Sequence, residues 1–349
     1  MSQTSAPQIP VTVLTGFLGA GKTTLLNRIL TEPHGRKYAV IVNEFGELGI
    51  DGDLVVGADE EVFEMNNGCI CCTVRGDLIR IIAGLMKRRG KFDAIVIETT
   101  GLADPAPVAQ TFFVDDEVKG RARLDSIVTV VDAKHLPQRL KDSREAEEQI
   151  AFADVIVLNK IDLVSAKELR EVESVVRAIN RFAPIHKARK CDVALDKVLD
   201  RGAFDLDRIL QVEPDFLERQ PEDHNHGHDH HDHGHDHDHD HADAPSVLRH
   251  NPEVTSVSLR LDKPISQQKF EAWFRRLLAA QGQDLLRCKG ILDVQGLDKR
   301  YVLHAVHMQV DGKPTSPWKP DEKRLSRIVF IGRKLDAEDL RRGFESCAA

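Results

Sequence analysis

The sequence has few of the features that mark membrane proteins, secreted proteins or nucleic-acid-binding proteins. No apolar run approaches the roughly 18–20 residues that a membrane-spanning helix needs. The first ten residues, MSQTSAPQIP, contain neither the basic stretch nor the apolar stretch of a secretory signal peptide. The net charge is −8, which does not indicate a basic surface for nucleic acid. These absences predict a cytoplasmic chain that binds neither membranes nor nucleic acid.

Cysteine is also scarce. Six cysteines among 349 residues are too few for a disulfide scaffold. Three of them fall within a stretch of four residues. The other three are scattered, and the sequence assigns them no role. In a reducing compartment, such a cluster is typical of a metal-binding or redox-active site. The clustered residues are Cys69, Cys71 and Cys72, and the scattered ones are Cys191, Cys288 and Cys347.

The first part of the chain alternates short β-branched runs with helical patterns. Most of the runs are apolar on both faces, which favours a parallel sheet covered by helices on each side. Strands are predicted at residues 11–16, 38–43, 93–98, 126–132 and 155–159, with a weaker one at 185–189, and helices at 22–30, 77–88 and 165–181. The predicted fold class is α/β, with a doubly wound, mainly parallel sheet.

The rest of the chain consists of two segments that differ from the first part in composition and pattern. Residues 220–244 hold ten of the sixteen histidines and no large apolar side chain, so we expect a disordered linker. Beyond it, strands predicted at 254–261, 301–310 and 328–335 and helices predicted at 266–281 and 336–346 indicate a small α+β domain. The predicted organisation is an α/β domain over 1–219, the linker over 220–244 and the C-terminal domain over 245–349.

The strongest motif is a phosphate-binding loop. Residues 16–23 read GFLGAGKT, after a predicted strand and at the start of a predicted helix, which is the context that this motif requires. We expect its backbone N–H groups to wrap a phosphate, Lys22 to reach the β and γ oxygens, and Thr23 to ligate Mg²⁺. The predicted nucleotide-binding residues of the loop are Gly16, Gly19, Ala20, Gly21, Lys22, Thr23 and Thr24.

Two further motifs follow the ends of predicted strands. Glu98 ends an apolar strand at the edge where parallel sheets bind ligands, and we expect it to contact Mg²⁺ through water and to act in catalysis with Lys22 and Thr23. Residues 159–162 read NKID. The Asp162 carboxylate can accept both adjacent donors of guanine, whereas adenine offers no such pair. The base-binding residues Asn159, Lys160 and Asp162 therefore favour GTP over ATP.

The clustered cysteines lie between the phosphate-binding loop and Glu98 along the chain, in the region where P-loop switches respond to the γ-phosphate. Three thiolates can bind one Zn²⁺ and leave a fourth coordination position open. A redox pair and packed small hydrophobic residues are the alternatives. Glu44 and Glu47 could supply the fourth ligand or orient the attacking water, or they could be solvated loop residues.

The histidine-rich linker alternates imidazole and carboxylate groups, which suit Zn²⁺, Co²⁺ or Ni²⁺. A flexible, repetitive segment is expected to bind several ions weakly and in exchanging geometries. A linker that only confers solubility is the alternative. The predicted auxiliary ligands are His224, His226, His228, His230, His231, His233, His235, His237, His239 and His241.

The order of these motifs resembles that of the CobW-type P-loop GTPases, which are relatives of the urease and hydrogenase nickel-insertion GTPases. The resemblance rests on residues 16–23, VNEFGE at 42–47, GCICC at 68–72, ETTGLADP at 98–105 and NKID at 159–162. It implies GTP hydrolysis coupled to delivery of a metal, usually zinc, to a client metalloprotein that contacts the C-terminal domain. The family's phosphate and Mg²⁺ positions fall on Lys22 and Thr23, its acidic metal contact on Glu98, and its metal site on the clustered cysteines.

The resemblance leaves alternatives open. The family divides between zinc transfer and the cobalt branch of cobalamin synthesis, and the long histidine tract favours zinc. A zinc buffer or sensor is a different class of function, because it would need no metal-stimulated hydrolysis. The cofactors that these hypotheses require are GTP and GDP, Mg²⁺, and Zn²⁺ or Co²⁺.

Deletion of residues 220–244 tests the division of labour between the linker and the cysteines. We expect nearly unchanged basal GTP hydrolysis, because a disordered linker contributes little to a folded core. Zinc titration should show loss of the weaker, multi-ion class of sites and survival of one tight site. Loss of the tight site would instead place the functional metal in the histidine tract.

Overall fold

The structure is a computed structural model that describes residues 8–43, 62–65, 73–87, 92–203, 253–320 and 322–349. The predicted linker, the clustered cysteines, Glu44 and Glu47 lie outside these residues. One parallel and one antiparallel sheet organise the described chain. No helix in these ranges is long and apolar enough to cross a membrane.

The first sheet contains, in the described residues, seven parallel strands in the order β3-β2-β4-β1-β5-β6-β7. The strands are β1 (Ile9–Thr15), β2 (Tyr38–Asn43), β3 (Val62–Met65), β4 (Ala94–Glu98), β5 (Ala122–Asp132), β6 (Val155–Asn159) and β7 (Ile185–Lys187). Six of them confirm the predicted strands, and all run in the predicted parallel direction. β3 is not among the predictions, because a run of four residues is too short to show a period.

Helices cover this sheet. They are α1 (Lys22–Thr31), α2 (Thr73–Met86), α3 (Ala106–Val114), α4 (Asp116–Arg121), α5 (Leu136–Asp142), α6 (Arg144–Phe152) and α7 (Ala166–Ile179). The predicted start of α7 is confirmed by a capping box. Ser165 Oγ accepts from the N–H of Glu168 at 3.2 Å, and the Glu168 carboxylate accepts from the N–H of Ser165 at 2.7 Å. In contrast, α2 begins four residues before its predicted start at Asp77.

Alternating side chains of the parallel strands build an apolar layer on each face of the sheet. Val11 and Val13 of β1 face the layer that contains Leu78 of α2. Leu14 of the same strand faces the opposite layer, where Leu25 of α1 is buried. Full burial of such a side chain contributes roughly 1.5–3 kcal/mol. Because both faces are covered, polar side chains of this sheet can act only where the strands end.

The C-terminal domain has, within its described residues, a five-stranded antiparallel sheet in the order β11-β10-β9-β12-β8. Its elements are β8 (Val254–Leu261), α8 (Gln267–Gln281), β9 (Leu285–Leu292), β10 (Lys299–Val306), β11 (Gln309–Pro317), β12 (Ser326–Arg333) and α9 (Ala337–Glu345). This confirms the predicted α+β class. The single strand predicted at 301–310 is wrong, because the chain turns at His307 and Met308 between β10 and β11. Neither residue is typical of hairpin turns, so the sequence carried no turn signal.

The C-terminal sheet packs in two directions. One face buries an aromatic cluster against α8 and α9 that includes Trp273 and Phe344. Leu286 and Ile291 of β9 belong instead to the apolar core of the first domain. At this contact the Asp154 carboxylate accepts hydrogen bonds from Arg287 and Lys289. The side chains of Asp154 and Arg287 are each only 2% exposed, so apolar surface and a desolvated charge cluster join the two domains.

Asp154→Asn tests this charge cluster. The substitution keeps the size of the side chain but removes the negative charge that Arg287 and Lys289 share, and breaking a buried pair in this way costs about 3–5 kcal/mol of unfolding free energy. Denaturant titration measures the loss. The matched control is Asp298→Asn, since Asp298 is 98% exposed beside Arg324 and such a pair is worth about 0–1 kcal/mol. Equal losses in the two variants would contradict the interpretation.

Candidate nucleotide-binding site

The predicted phosphate-binding loop connects β1 to α1, and two of its glycines are required by the close approach of backbone or side-chain atoms. Gly16 has a φ of 141°, and a Cβ atom there would lie 2.3 Å from the carbonyl oxygen of Val130. Gly21 has a φ of 117°, and a Cβ atom there would lie 2.6 Å from Nδ2 of Asn159. Only glycine fits either position. The loop therefore runs over the ends of β5 and β6 and presents its backbone at the start of α1, as anion-binding loops do.

Lys22, Thr23 and Glu98 converge beneath this loop. Lys22 is buried, and its Nζ lies 3.4 Å from the carbonyl oxygen of Phe17. The Thr23 hydroxyl donates a 3.0 Å hydrogen bond to Oε1 of Glu98, which is the last residue of β4 and is also buried. A hydroxyl and a carboxylate placed together form an oxygen donor set of the kind that Mg²⁺ prefers.

The segment that follows Glu98 rests against the phosphate-binding loop. The Thr99 hydroxyl donates to Oγ1 of Thr15 at 2.9 Å. Gly101 approaches Leu18 so closely that a Cβ atom on Gly101 would lie 2.5 Å from the Leu18 nitrogen. Gln149 of α6 donates from Nε2 to the carbonyl oxygens of Gly101 and Ala103, each at 3.1 Å. Sequence reasoning missed Gln149, because it belongs to no motif and lies 48 residues from Gly101.

Asn159, one of the predicted base-binding residues, joins two parts of the site. It ends β6 and is buried. Its Nδ2 donates to the carbonyl oxygen of Ala20 at 2.9 Å, and its Oδ1 accepts from the N–H of Cys191 at 2.8 Å. The Asn159 amide therefore ties the phosphate-binding loop to the segment that follows β7, which the sequence did not indicate.

Lys160 and Asp162 lie beyond β6. Lys160 has a φ of 60°, and its Nζ donates to Oδ2 of Asp132 at 2.7 Å. Asp162 lies in the short 3₁₀ helix Ile161–Leu163, with a side chain one-third exposed and 3.7 Å from Nε of Arg189. The Asp162 carboxylate is thus accessible to a ligand, whereas Lys160 is fixed by a carboxylate that sequence reasoning did not single out.

Asp132 ends β5 beside Asn159. Burial alone would raise the pKa of Asp132, but hydrogen bonds from Lys160 and His135 outweigh burial and lower the pKa below its ordinary value. The carboxylate is therefore charged at neutral pH and holds the side chain of Lys160 within the predicted base-binding motif.

Cys191 lies in the wall of the same site. It is fully buried with a φ of 56°, its thiol donates to the carbonyl oxygen of Gly21 at 3.3 Å, and its own carbonyl oxygen accepts from Arg28. Burial raises the pKa of the Cys191 thiol to about 11. Burial likewise raises the pKa values of Cys288 and Cys347 in the C-terminal domain. All three scattered cysteines are buried and belong to the folded core.

The predicted zinc ligands fall outside the described residues, which contain no group of three or more His, Cys, Asp or Glu side chains that could hold a metal ion. The strands that lead to them are described. Asn43 of β2 pairs with Met65 of β3, and Val42 pairs with Glu98 of β4. Glu44 follows β2 directly and Cys69 comes four residues after the end of β3 along the sequence. Both strands end at the sheet edge where Glu98 lies.

A parallel sheet with a GKT loop after β1, an acid at the end of β4 and an NKxD motif after β6 defines a P-loop GTPase. Residues 10–187 match the family described as CobW/HypB/UreG, nucleotide-binding domain. Residues 254–348 match the cobalamin synthesis protein cobW C-terminal domain. The chain belongs to the CobW/HypB/UreG family of GTPases, which confirms the resemblance inferred from the motifs.

Named relatives match nearly the whole chain. The zinc chaperone YjiA of Escherichia coli (strain K12) is 34% identical over 340 residues, which cover 96% of this chain and 98% of that protein. The zinc-regulated GTPase metalloprotein activator 1 of Schizosaccharomyces pombe is 35% identical over 351 residues, covering 94% and 83%. The crystal structure of Zn(II)-bound YjiA GTPase from E. coli superposes with a TM-score of 0.74 at 29% identity, covering 99% of this chain and 100% of that chain.

Thiol labelling tests the placement of Cys191. Because burial raises the thiol pKa from 9.0 to about 11, the thiolate fraction at pH 8 is reduced by about 100-fold, and the side chain is enclosed as well. Iodoacetamide at pH 8, followed by peptide mass spectrometry, should leave Cys191 unmodified in the native protein and label it in urea. Rapid native labelling of this cysteine would contradict its position against Gly21.

Proposed function

We propose that this protein is a GTP-hydrolysing metallochaperone that binds zinc at its clustered cysteines and transfers it to a client metalloprotein. The observation that carries the proposal is the shared sheet edge. The phosphate-binding loop, Glu98 and the strand ends that lead to the cysteine motif all lie there, in a chain that matches named zinc chaperones over nearly its full length.

In this proposal the phosphate groups of GTP lie on the loop of residues 16–24. Lys22 meets the β and γ oxygens with its positive charge, and backbone N–H groups at the start of α1 add further donors. The Thr23 hydroxyl and the Glu98 carboxylate would hold Mg²⁺. Their 3.0 Å separation supports this pairing. When bound, Mg²⁺ neutralises charge on the phosphate oxygens.

Guanine is recognised by Asp162, whose carboxylate accepts from the ring N–H and the exocyclic amine together. The accessible side chain of Asp162 supports this role. Asn159 acts in a different way from Asp162, because both ends of its amide are occupied by protein groups. It keeps the base-binding segment and the phosphate-binding loop in one arrangement. Lys160, which belongs to the same motif, is held by Asp132.

Zinc is the cargo of the proposed cycle. Cys69, Cys71 and Cys72 supply three thiolate ligands, and Glu47 is the candidate for the fourth position. The ten histidines of the linker act as a weaker store of ions that exchange with the tight site. Hydrolysis of GTP removes the γ-phosphate, which P-loop switch segments sense, and so weakens the zinc site for release.

The client is a cytoplasmic metalloprotein that contacts the C-terminal domain. The packing of this domain on the GTPase domain, through buried charges and apolar side chains, supports communication between the two. The relatives named zinc chaperone support zinc as the cargo, and cobalt delivery is the competing assignment.

Zinc affinity in the two nucleotide states tests the proposal. Typical coupling between two sites changes affinity by about 5–150-fold, and reciprocity requires zinc to change nucleotide affinity by the same factor. Chelator competition should show tighter zinc binding with Mg²⁺ and a non-hydrolysable GTP analogue than with Mg²⁺ and GDP. Cys71→Ser combined with Cys72→Ser should abolish the tight site and any stimulation of hydrolysis by zinc while GTP binding persists.

Equal zinc affinities in the two nucleotide states would contradict the transfer cycle and would support a zinc buffer. A parallel titration with cobalt separates the metals. A larger nucleotide dependence for cobalt than for zinc would favour the cobalt assignment.

A further inference from the structure

Three consecutive residues of α6 make contacts in two directions. Glu147 and Glu148 contact the C-terminal domain, where Oε1 of Glu147 accepts from the N–H of Val254 at 3.0 Å and Glu148 forms an ion pair with Arg333. Gln149 reaches the other way, to the segment that follows Glu98. One short helix thus links the C-terminal domain to the nucleotide site.

The contact of Gln149 leaves its side chain little freedom. The residue is 1% exposed, and its amide group donates to the carbonyl oxygens of Gly101 and Ala103. The carbonyl oxygen of Gln149 itself accepts from the Thr129 hydroxyl of β5 at 2.8 Å. Because Gly101 lies against the backbone of Leu18, the position of α6 sets the distance between this segment and the phosphate-binding loop.

The C-terminal domain holds α6 at several points. Val254 and Arg333 are the first residue of β8 and the last of β12, and they pair across those strands. At the end of α6, the carbonyl oxygen of Phe152 accepts from Arg287, and its ring packs against His307 with ring centroids 5.7 Å apart. Helix α6 therefore contacts strands β8, β9 and β12 and the turn after β10.

Asp104 belongs to the segment that follows Glu98 and is also influenced by the C-terminal domain. Its carboxylate accepts from the N–H of Ala106 at 2.8 Å. Burial raises the pKa of Asp104, and the hydrogen bond from Ala106 and the positive charge of Arg333 oppose that shift. Arg333 thus acts electrostatically on both Glu148 of α6 and Asp104 of the segment that α6 holds.

We propose that α6 transmits the position of the C-terminal domain to the nucleotide site, with Gln149 as a positioning residue for GTP hydrolysis. Gln149 touches no substrate in this proposal. It fixes Gly101 and Ala103, which lie three and five residues after Glu98, and Glu148 and Arg333 fix the helix that carries it. The proposal rests on the GTPase activity described above and adds the element through which the C-terminal domain acts on it.

A double-mutant cycle tests the transmission. The variants are Gln149→Met, which keeps the side-chain length and removes the donor, Arg333→Met, and their combination. Each single variant should lower kcat by roughly 10- to 100-fold, as small displacements of a catalytic segment do. The affinity for a non-hydrolysable GTP analogue should change by less than about threefold. The combined variant should be no slower than the slower single variant, because both remove one positioning effect.

Arg275→Met is the matched control, since Arg275 is 80% exposed on α8 and pairs with Glu271 of the same helix. Its kcat should equal that of the unmodified protein. Thermal denaturation checks folding of every variant, and Glu148→Gln replaces Arg333→Met if the latter fails to fold.

Two results would overturn the proposal: an unchanged kcat in Arg333→Met, or losses in kcat that multiply in the combined variant. Failure of the proposed function would give a different result from failure of the transmission through α6. Absence of GTP hydrolysis by the unmodified protein would overturn the function itself, whereas hydrolysis with multiplying losses would overturn only the transmission through α6.

Discussion

The amide of Asn159 holds the nucleotide site together, because a single side chain satisfies backbone groups from two separate segments. It binds the carbonyl oxygen of Ala20 and the N–H of Cys191, and all of these groups are buried. A buried amide without such partners would cost about 1–3 kcal/mol. The close packing of Gly21 against Asn159 and Cys191 restricts the conformation of the phosphate-binding loop. The geometry of the phosphate-binding loop therefore depends on a residue from the base-binding motif.

The parallel sheet explains why so many polar groups meet at one edge. With both faces covered by apolar layers, β1, β2, β4, β5 and β6 place Thr15, Asn43, Glu98, Asp132 and Asn159 at their carboxyl ends. The same constraint puts the carboxyl ends of β2 and β3 at the edge where Glu98 meets Thr23.

The domain contact combines apolar burial with charges that are costly to desolvate. Replacing a buried ion pair by apolar residues is often neutral or stabilising, so the cluster of Asp154, Arg287 and Lys289 is weak support for stability alone. Its geometry does fix which part of β9 meets the end of α6. A domain that only needed to adhere could use apolar surface, whereas one that must hold α6 in a defined position gains from directional contacts.

The sequence by itself determined six strands of the parallel sheet, the phosphate-binding loop and the position of Glu98, because each is a local pattern of period or spacing. It also identified the family, since several motifs occur in one fixed order. Only the tertiary structure decided the partners of Asn159, the reach of Gln149 and the buried pair of Asp154 and Arg287. These contacts join residues 139, 48 and 133 positions apart, and no periodic signal connects such positions. They exist because parallel strands and packed domains bring distant backbone groups together, and buried groups must then find partners.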